Sequence, residues 1–417
     1  MSTTSETGTT AMESVDSFRD RARRWLKDTL PPAPPIHSGE QKSPEVWARS
    51  RELQRILHDA GFAGICFPAE YGGLGLTPAH QHAFTEESRP YEMPLALNIP
   101  TLTICAATLL DMGNEEQKRV HIAAALRGEE LLVQFLSEPR GGSDLAGLTT
   151  RADRRDDGWV INGSKIWSSG AYAADYGLCL ARTDPTVPKH AGLTMFLVPV
   201  NSPGLTIQRI TQVDGSTEFC QEFFDDVFVP ADAIVGEVND GWTVASRLLL
   251  HERNAVGGGS PYASGALQHA GRDVGALIES ARRTGQLDDV RVREDIGEAH
   301  AMNLVQNQLI AHIGARIAAG DLAPAGGSIA RLFSARNAWH QADAAVRIAG
   351  ATAATGDEIG GPGLGQAGQE YLYRQAWSLA GGSTEMARNI ISERVLGMPR
   401  EYAADRDVPF KDVEHGR

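Results

Sequence analysis

Two spacings of apolar residues divide this chain of 417 residues into three parts. Val15, Phe18, Ala22, Trp25 and Leu26 recur at three- and four-residue intervals, the period of a helix with one buried face. Pro31-Pro-Ala-Pro-Pro35 ends that helix, because proline lacks an amide donor and clashes with the preceding turn. Val46, Leu53, Ile56 and Leu57 repeat the period, and Thr77-Pro78 reads as an N-cap with proline at the first helical position. Residues 13–130 are therefore expected as a helical domain behind a loose Ser/Thr-rich tail, residues 1–12.

From Leu131 the pattern becomes alternating and β-branched. Tyr176–Arg182, Gly192–Pro199 and Gly204–Ile210 predict strands, and residues 131–239 a small antiparallel β domain. Within it, Asn162-Gly163 between apolar alternations predicts a two-residue hairpin turn. Long Ala/Leu/Ile/Arg stretches then return, interrupted at Gly257–Ser260 and Gly356–Gly368, so residues 240–417 are expected as a second helical domain, a four-helix bundle. Helices, then strands, then helices is the order of an α+β fold rather than of βαβ alternation.

The charge balance narrows the function. With 39 Lys and Arg against 53 Asp and Glu, the net charge of −14 argues against nucleic acid or an anionic membrane as partner. Cys66, Cys105, Cys179 and Cys220 lie far apart with no CxxC pair, which points to reduced, buried thiols rather than a disulfide framework or zinc knot. The scattered histidines offer no metal site, and no P-loop occurs. The first ten residues have neither a basic start nor an apolar run, and no uninterrupted apolar span reaches the roughly 20 residues of a membrane helix. A cytoplasmic protein is expected.

Two segments carry the chemistry. Gln134-Phe-Leu-Ser-Glu-Pro-Arg-Gly-Gly-Ser-Asp-Leu-Ala-Gly147 combines glycines with Ser137 and Ser143, so that backbone amides can approach a phosphate or ring carbonyl. Asp157-Gly-Trp-Val-Ile-Asn-Gly-Ser-Lys-Ile-Trp-Ser-Ser169 presents Trp167 with the hydroxyls of Ser168 and Ser169 behind it. An aromatic plate beside hydroxyls suits a flat, polar-edged cofactor such as a flavin.

Both segments resemble the signature of the acyl-CoA dehydrogenase family. The likeness extends along nearly the whole chain through Phe67–Gly75, Asp226–Pro230, Gly382–Ile391 and Val395–Pro399. It implies FAD as cofactor, an acyl-CoA substrate, and an electron-transferring flavoprotein as acceptor. It also implies a homodimer or tetramer, or a heterotetramer with a homologous chain. By matched position, Gln134, Ser137, Ser143, Trp167, Ser168, Ser169, Ser383 and Glu385 would bind the flavin, and Ser143 would also touch the pantetheine arm.

Abstracting a proton next to a thioester carbonyl needs a carboxylate at the α carbon and donors at the carbonyl oxygen. The base of the family's best-known branch matches Gly381 here, which bears no carboxylate, although its amide remains a candidate donor to substrate. A second branch, similar to isovaleryl- and long-chain acyl-CoA dehydrogenases, carries the base in a Leu-Glu-Arg sequence; here Leu249-Leu-His-Glu-Arg253 puts Glu252 there. A glutamate beside an arginine on a helix is ordinarily part of a solvated face; the matched position and the vacancy at Gly381 single Glu252 out. Arg253 is left as a structural or CoA-contacting residue.

Three departures stand out. Arg140 replaces a small residue. The loop expected to reach a neighbouring subunit's FAD reads Arg347-Ile-Ala-Gly-Ala-Thr-Ala353, keeping Gly350 alone, with Arg347 a candidate charge for the diphosphate. The family's Arg-x-Phe-Gly segment is reduced to Arg282-Arg-Thr-Gly285. Either those contacts are remodelled or the chain pairs with a homologous subunit that supplies them, as in actinobacterial two-chain enzymes acting on sterol-derived thioesters. The rival readings are an FAD-binding partner subunit without catalysis of its own and a flavin monooxygenase or oxidase on the same fold.

Overall fold

A computed structural model describes residues 12–33, 44–256, 259–265, 274–355 and 365–413. Most of the tail and parts of both Gly-rich interruptions lie outside the described residues. Helix α1 (Val15–Thr29) starts at Ser14, whose hydroxyl accepts from the Ser17 amide, and buries Phe18, Ala22 and Leu26 completely. Trp25 is only half-buried and rests against Phe62, ring centroids 4.9 Å apart. Helices α2 (Pro44–Asp59) and α3 (Pro78–Ser88) close this apolar cluster with Leu53, Leu57 and Phe84, and Thr77 caps α3 as its sequence predicts.

Leu95–Met112 is the one stretch among the described residues long and apolar enough, by composition, to cross a membrane; 67% of it is buried inside the protein. It brings Leu102, Ile104 and Leu109 into a core shared with the sheet and the C-terminal helices, which is why it is so apolar.

The sheet contains β1 (Leu132–Phe135), β2 (Arg151–Arg154), β3 (Gly158–Ser169), β4 (Tyr176–Arg182), β5 (Leu193–Pro199), β6 (Leu205–Arg209), β7 (Phe219–Pro230) and β8 (Ile234–Val235). Its order is β6-β7-β3-β2-β4-β5-β8, with β1 beside β4. Pairing is mainly antiparallel, while β1 runs parallel to β4 and sets Gln134 against Leu178.

Asn162-Gly163 is not a hairpin turn. Glycine lets β3 run on through a bulge there: a Cβ on Gly163, at φ 149°, would fall 2.7 Å from the Thr150 Cα. The Asn162 side chain bonds both the amide and the carboxylate of Asp226 on β7. The turn between β2 and β3 instead lies at 155–157, closed by Arg155 N donating to Gly158 O.

The C-terminal helices include α4 (Gly241–Val256), α5 (Val274–Arg283), α6 (Val290–Ala318), α7 (Gly327–Ala349) and α8 (Thr384–Ile390). Asn337 and Gln341 on α7 donate to Asn303 on α6, a polar seam that fixes the register of the two longest helices. The chain then returns to the sheet. Phe410 N donates to Val187 O, Lys189 pairs with Asp405 at 2.7 Å, and the Phe410 ring lies under the Arg182 guanidinium.

Candidate active site

Glu138 anchors the glycine-rich loop between β1 and β2. Its carboxylate accepts from Thr149 N, Thr149 Oγ1, Thr150 N and the Nζ of the fully buried Lys165 at 2.9 Å. Burial pushes the carboxyl up, but the Lys165 charge and the threonine donors outweigh it and bring it down to about 2. The loop is thus fastened from beneath, with Ser143 left exposed on a cavity of about 300 Å³ lined also by Lys189, His190, Trp242 and Met386. Arg182, lowered to about 10 by burial, supports the loop's far side by donating to Ala146 O and Lys189 O.

Trp167 stands on a second bulge in β3, at φ 69°, with 52% of its surface exposed and Phe219 edge-on at 5.9 Å. The left-handed backbone carries the indole outward, off the regular strand alternation. Ser168 consequently turns inward and donates to Glu222 at 3.0 Å. Glu222 is buried, its Oε1 has no partner among the described residues, and burial raises its carboxyl to about 8. Ser169 is partly exposed beside the plate, and Ser137, whose carbonyl accepts from Ile166 N, has its hydroxyl facing Gly142.

Glu252 is partly buried on α4 and accepts from Gln134 Nε2 at 2.9 Å through Oε2. Burial raises its carboxyl; Arg253, the Gln134 amide and Arg331 work against that rise. The buried Cys105 thiol feels Glu252 as well, and burial drives it far up. Arg253 is partly buried and lies near Arg394. All four cysteines are free thiols, three of them buried.

Gly381 and Gly382 both have left-handed backbones, φ 69° and 89°, which makes the turn into α8. Ser383 caps α8 through its hydroxyl on Met386 N, and Glu385 is exposed in the first turn. Arg331, on α7, was not singled out by sequence: its Nη2 donates to Trp377 O at 2.8 Å and Ala380 O at 2.6 Å. Only its place in an Ala-rich helix hints at burial, and arginine there ordinarily faces water.

Arg347 does not offer a free charge to a diphosphate. It forms a two-toothed pair with Asp295 on α6, at 3.0 and 2.7 Å, so its charge is satisfied within the chain.

Three family descriptions lie end to end along this architecture: acyl-CoA dehydrogenase N-terminal domain over residues 12–129, middle domain over 134–227 and C-terminal domain over 239–396. The chain belongs to the acyl-CoA dehydrogenase family. It is similar to acyl-CoA dehydrogenase IpdE1 of Mycobacterium tuberculosis, 35% identical over 94% of this chain and 99% of that protein. Its fold matches a solved structure described as the Tcur3481-Tcur3483 steroid ACAD, with TM-score 0.76 and 28% identity over 94% of this chain and 99% of that one. It also matches the ChsE4-ChsE5 complex of Mycobacterium tuberculosis, with TM-score 0.71 and 25% identity over 94% and 100% of the two chains.

Members of the family are FAD-dependent oxidoreductases acting on acyl-CoA, and the residues here fit that cofactor. Trp167 offers an outward aromatic face, and added methyls on Gly141 and Gly142 would meet nothing closer than 3.4 Å, leaving their backbone open to a polar ligand.

Proposed function

We propose that this chain oxidises an acyl-CoA thioester to the trans-2-enoyl-CoA, with Glu252 as the base that removes the α proton. The observation that carries this is the setting of Glu252: a carboxylate on a helix interior, held by Gln134 and made more basic by burial. FAD, when bound, supplies the acceptor for the hydride from the β carbon. Ser137, Trp167 and Ser169 would hold its ring, and Ser143 would meet the pantetheine arm at the cavity mouth. The Gly381 amide supplies a donor for the charge that gathers on the thioester oxygen as Glu252 takes the proton. Removing H⁺ from the α carbon and H⁻ from the β carbon leaves the new double bond, and electrons pass on to an electron-transferring flavoprotein.

We further propose that the working enzyme pairs this chain with a homologous subunit and accepts a wide, sterol-derived acyl group. Two of the solved relatives carry names of paired chains, one of them a steroid ACAD, and the Arg347–Ala353 loop has lost glycines and the use of its arginine. A second reading, a subunit that completes a partner's cofactor site without catalysis of its own, is favoured by the missing carboxylate at Gly381.

Anaerobic titration with acyl-CoA thioesters from short to sterol-sized decides between them. The catalytic reading expects a yellow protein bleached by thioester, and a Glu252→Gln variant that stays yellow and does not bleach. Full turnover by that variant sinks the assignment, and a chain that stays colourless while its reconstituted partner complex is bleached by thioester regardless of Glu252→Gln supports the second reading.

A further inference from the structure

Arg331 is a buried cation with an unusual set of partners. It is 7% exposed, its Nη2 bridges the carbonyls of Trp377 and Ala380, and its Nε is buried with no acceptor among the described residues. The same residues place no carboxylate within ion-pair distance of it, yet it and Glu252 feel each other electrostatically across the gap between α7 and α4. Burying a guanidinium with no carboxylate beside it carries a desolvation cost that a leucine would avoid. The site therefore has a use for the charge.

We infer that Arg331 is a positioning residue that couples the base to its oxyanion donor, clamping the main chain just before Gly381 while keeping its charge within electrostatic reach of Glu252. The inference rests on the reading of Glu252 as base. Two carbonyls three residues apart, fixed by one nitrogen, define the end of the turn at 374–378 and so the direction in which the Gly381 amide leaves it. A shift of about 1 Å in such a donor is enough to cost orders of magnitude in rate.

The electrostatic half follows from what surrounds Glu252. Arg253 faces it from its own helix, Arg331 from α7, the Cys105 thiol from the Leu95–Met112 stretch, and the neutral Gln134 amide from β1. Arg253 is the stronger of the two cations acting on Glu252 but shares its surroundings with Arg394, while Glu252 is the charged group acting on Arg331. Removing Arg331 withdraws a counter-charge that keeps Glu252 ionised. The base then takes up a proton at higher pH.

Two variants separate the two halves. Arg331→Gln removes the charge, and the ascending limb of kcat/KM is expected to move to higher pH, with about tenfold loss on its acid side for each unit of movement. Arg331→Lys keeps the charge on a shorter stem without the planar fork, so the hold on the two carbonyls is loosened. Its limb should stay in place while kcat falls, KM holds, and amide hydrogen exchange over residues 376–382 quickens. FAD content equal to the parent protein's certifies that each variant has folded; should the Gln variant fail to fold, the Lys variant and its exchange rates decide. An unmoved limb in Arg331→Gln, or unchanged exchange in Arg331→Lys, overturns the inference. Turnover by Glu252→Gln would instead strike the base reading and leave the exchange result standing.

Discussion

Gln134 Nε2 donates to Glu252 Oε2 at 2.9 Å, joining a strand of the sheet to a helix 118 residues further along. The amide favours the ionised carboxylate against the pull of burial. Gln134→Leu should therefore raise the Glu252 carboxyl and move the ascending limb of kcat/KM to higher pH, with about tenfold lower activity on the acid side. A profile superimposable on the parent's would show that the bond is idle during catalysis.

Trp167 bears little of the fold's weight, since half its surface is open. Trp167→Ala should change unfolding stability by less than about 1 kcal/mol and weaken FAD retention about five- to tenfold through the lost aromatic contact. Dialysis against flavin-free buffer, read at the flavin absorption band, measures the second effect.

Glu222 gives a pH dependence of opposite sign to that of most acids. Its folded carboxyl, near 8, lies above the ordinary 4.5, so the native state holds a proton that the unfolded chain releases. It therefore supplies stability below about 4.5 that drains away as pH climbs to 8. Urea midpoints at pH 5 and pH 8 should differ less in Glu222→Gln than in the parent; equal differences refute the expectation.

Glu138 behaves the other way. Held near 2 in the folded protein, it stabilises above its ordinary value, and that contribution is lost as pH falls from 4.5 toward 2. Lys165→Met strands its buried carboxylate and should cost about 3–5 kcal/mol by urea unfolding.

Arg347→Ala should cost under about 1 kcal/mol, because the pair with Asp295 is half open to water. FAD content should not change. A colourless variant would show that the arginine leaves Asp295 to serve the cofactor.

Much of this architecture is legible in the chain itself. One-faced helices such as α1 advertise their period, and β4 and β5 show β-rich apolar runs bounded by turn residues, so local pattern and tertiary burial agree. Asn162-Gly163 misleads because β7, more than fifty residues away, claims the strand and turns a favoured hairpin pair into a bulge. Glu252 is readable only from its motif neighbours, since Leu-His-Glu-Arg does not say which side of a helix meets the substrate. Arg331 is invisible for a similar reason: what buries it is a segment some fifty residues downstream, and no local rule relates the two.

The clasp of Asp405 and Phe410 on Lys189 and Arg182 joins residues synthesised more than 200 positions apart. During translation, then, the sheet can assemble long before the platform beside Ser143 acquires its final brace, and a polypeptide still on the ribosome would present that platform unfinished. Completion of the cavity beside Ser143 therefore waits on the segment around Asp405.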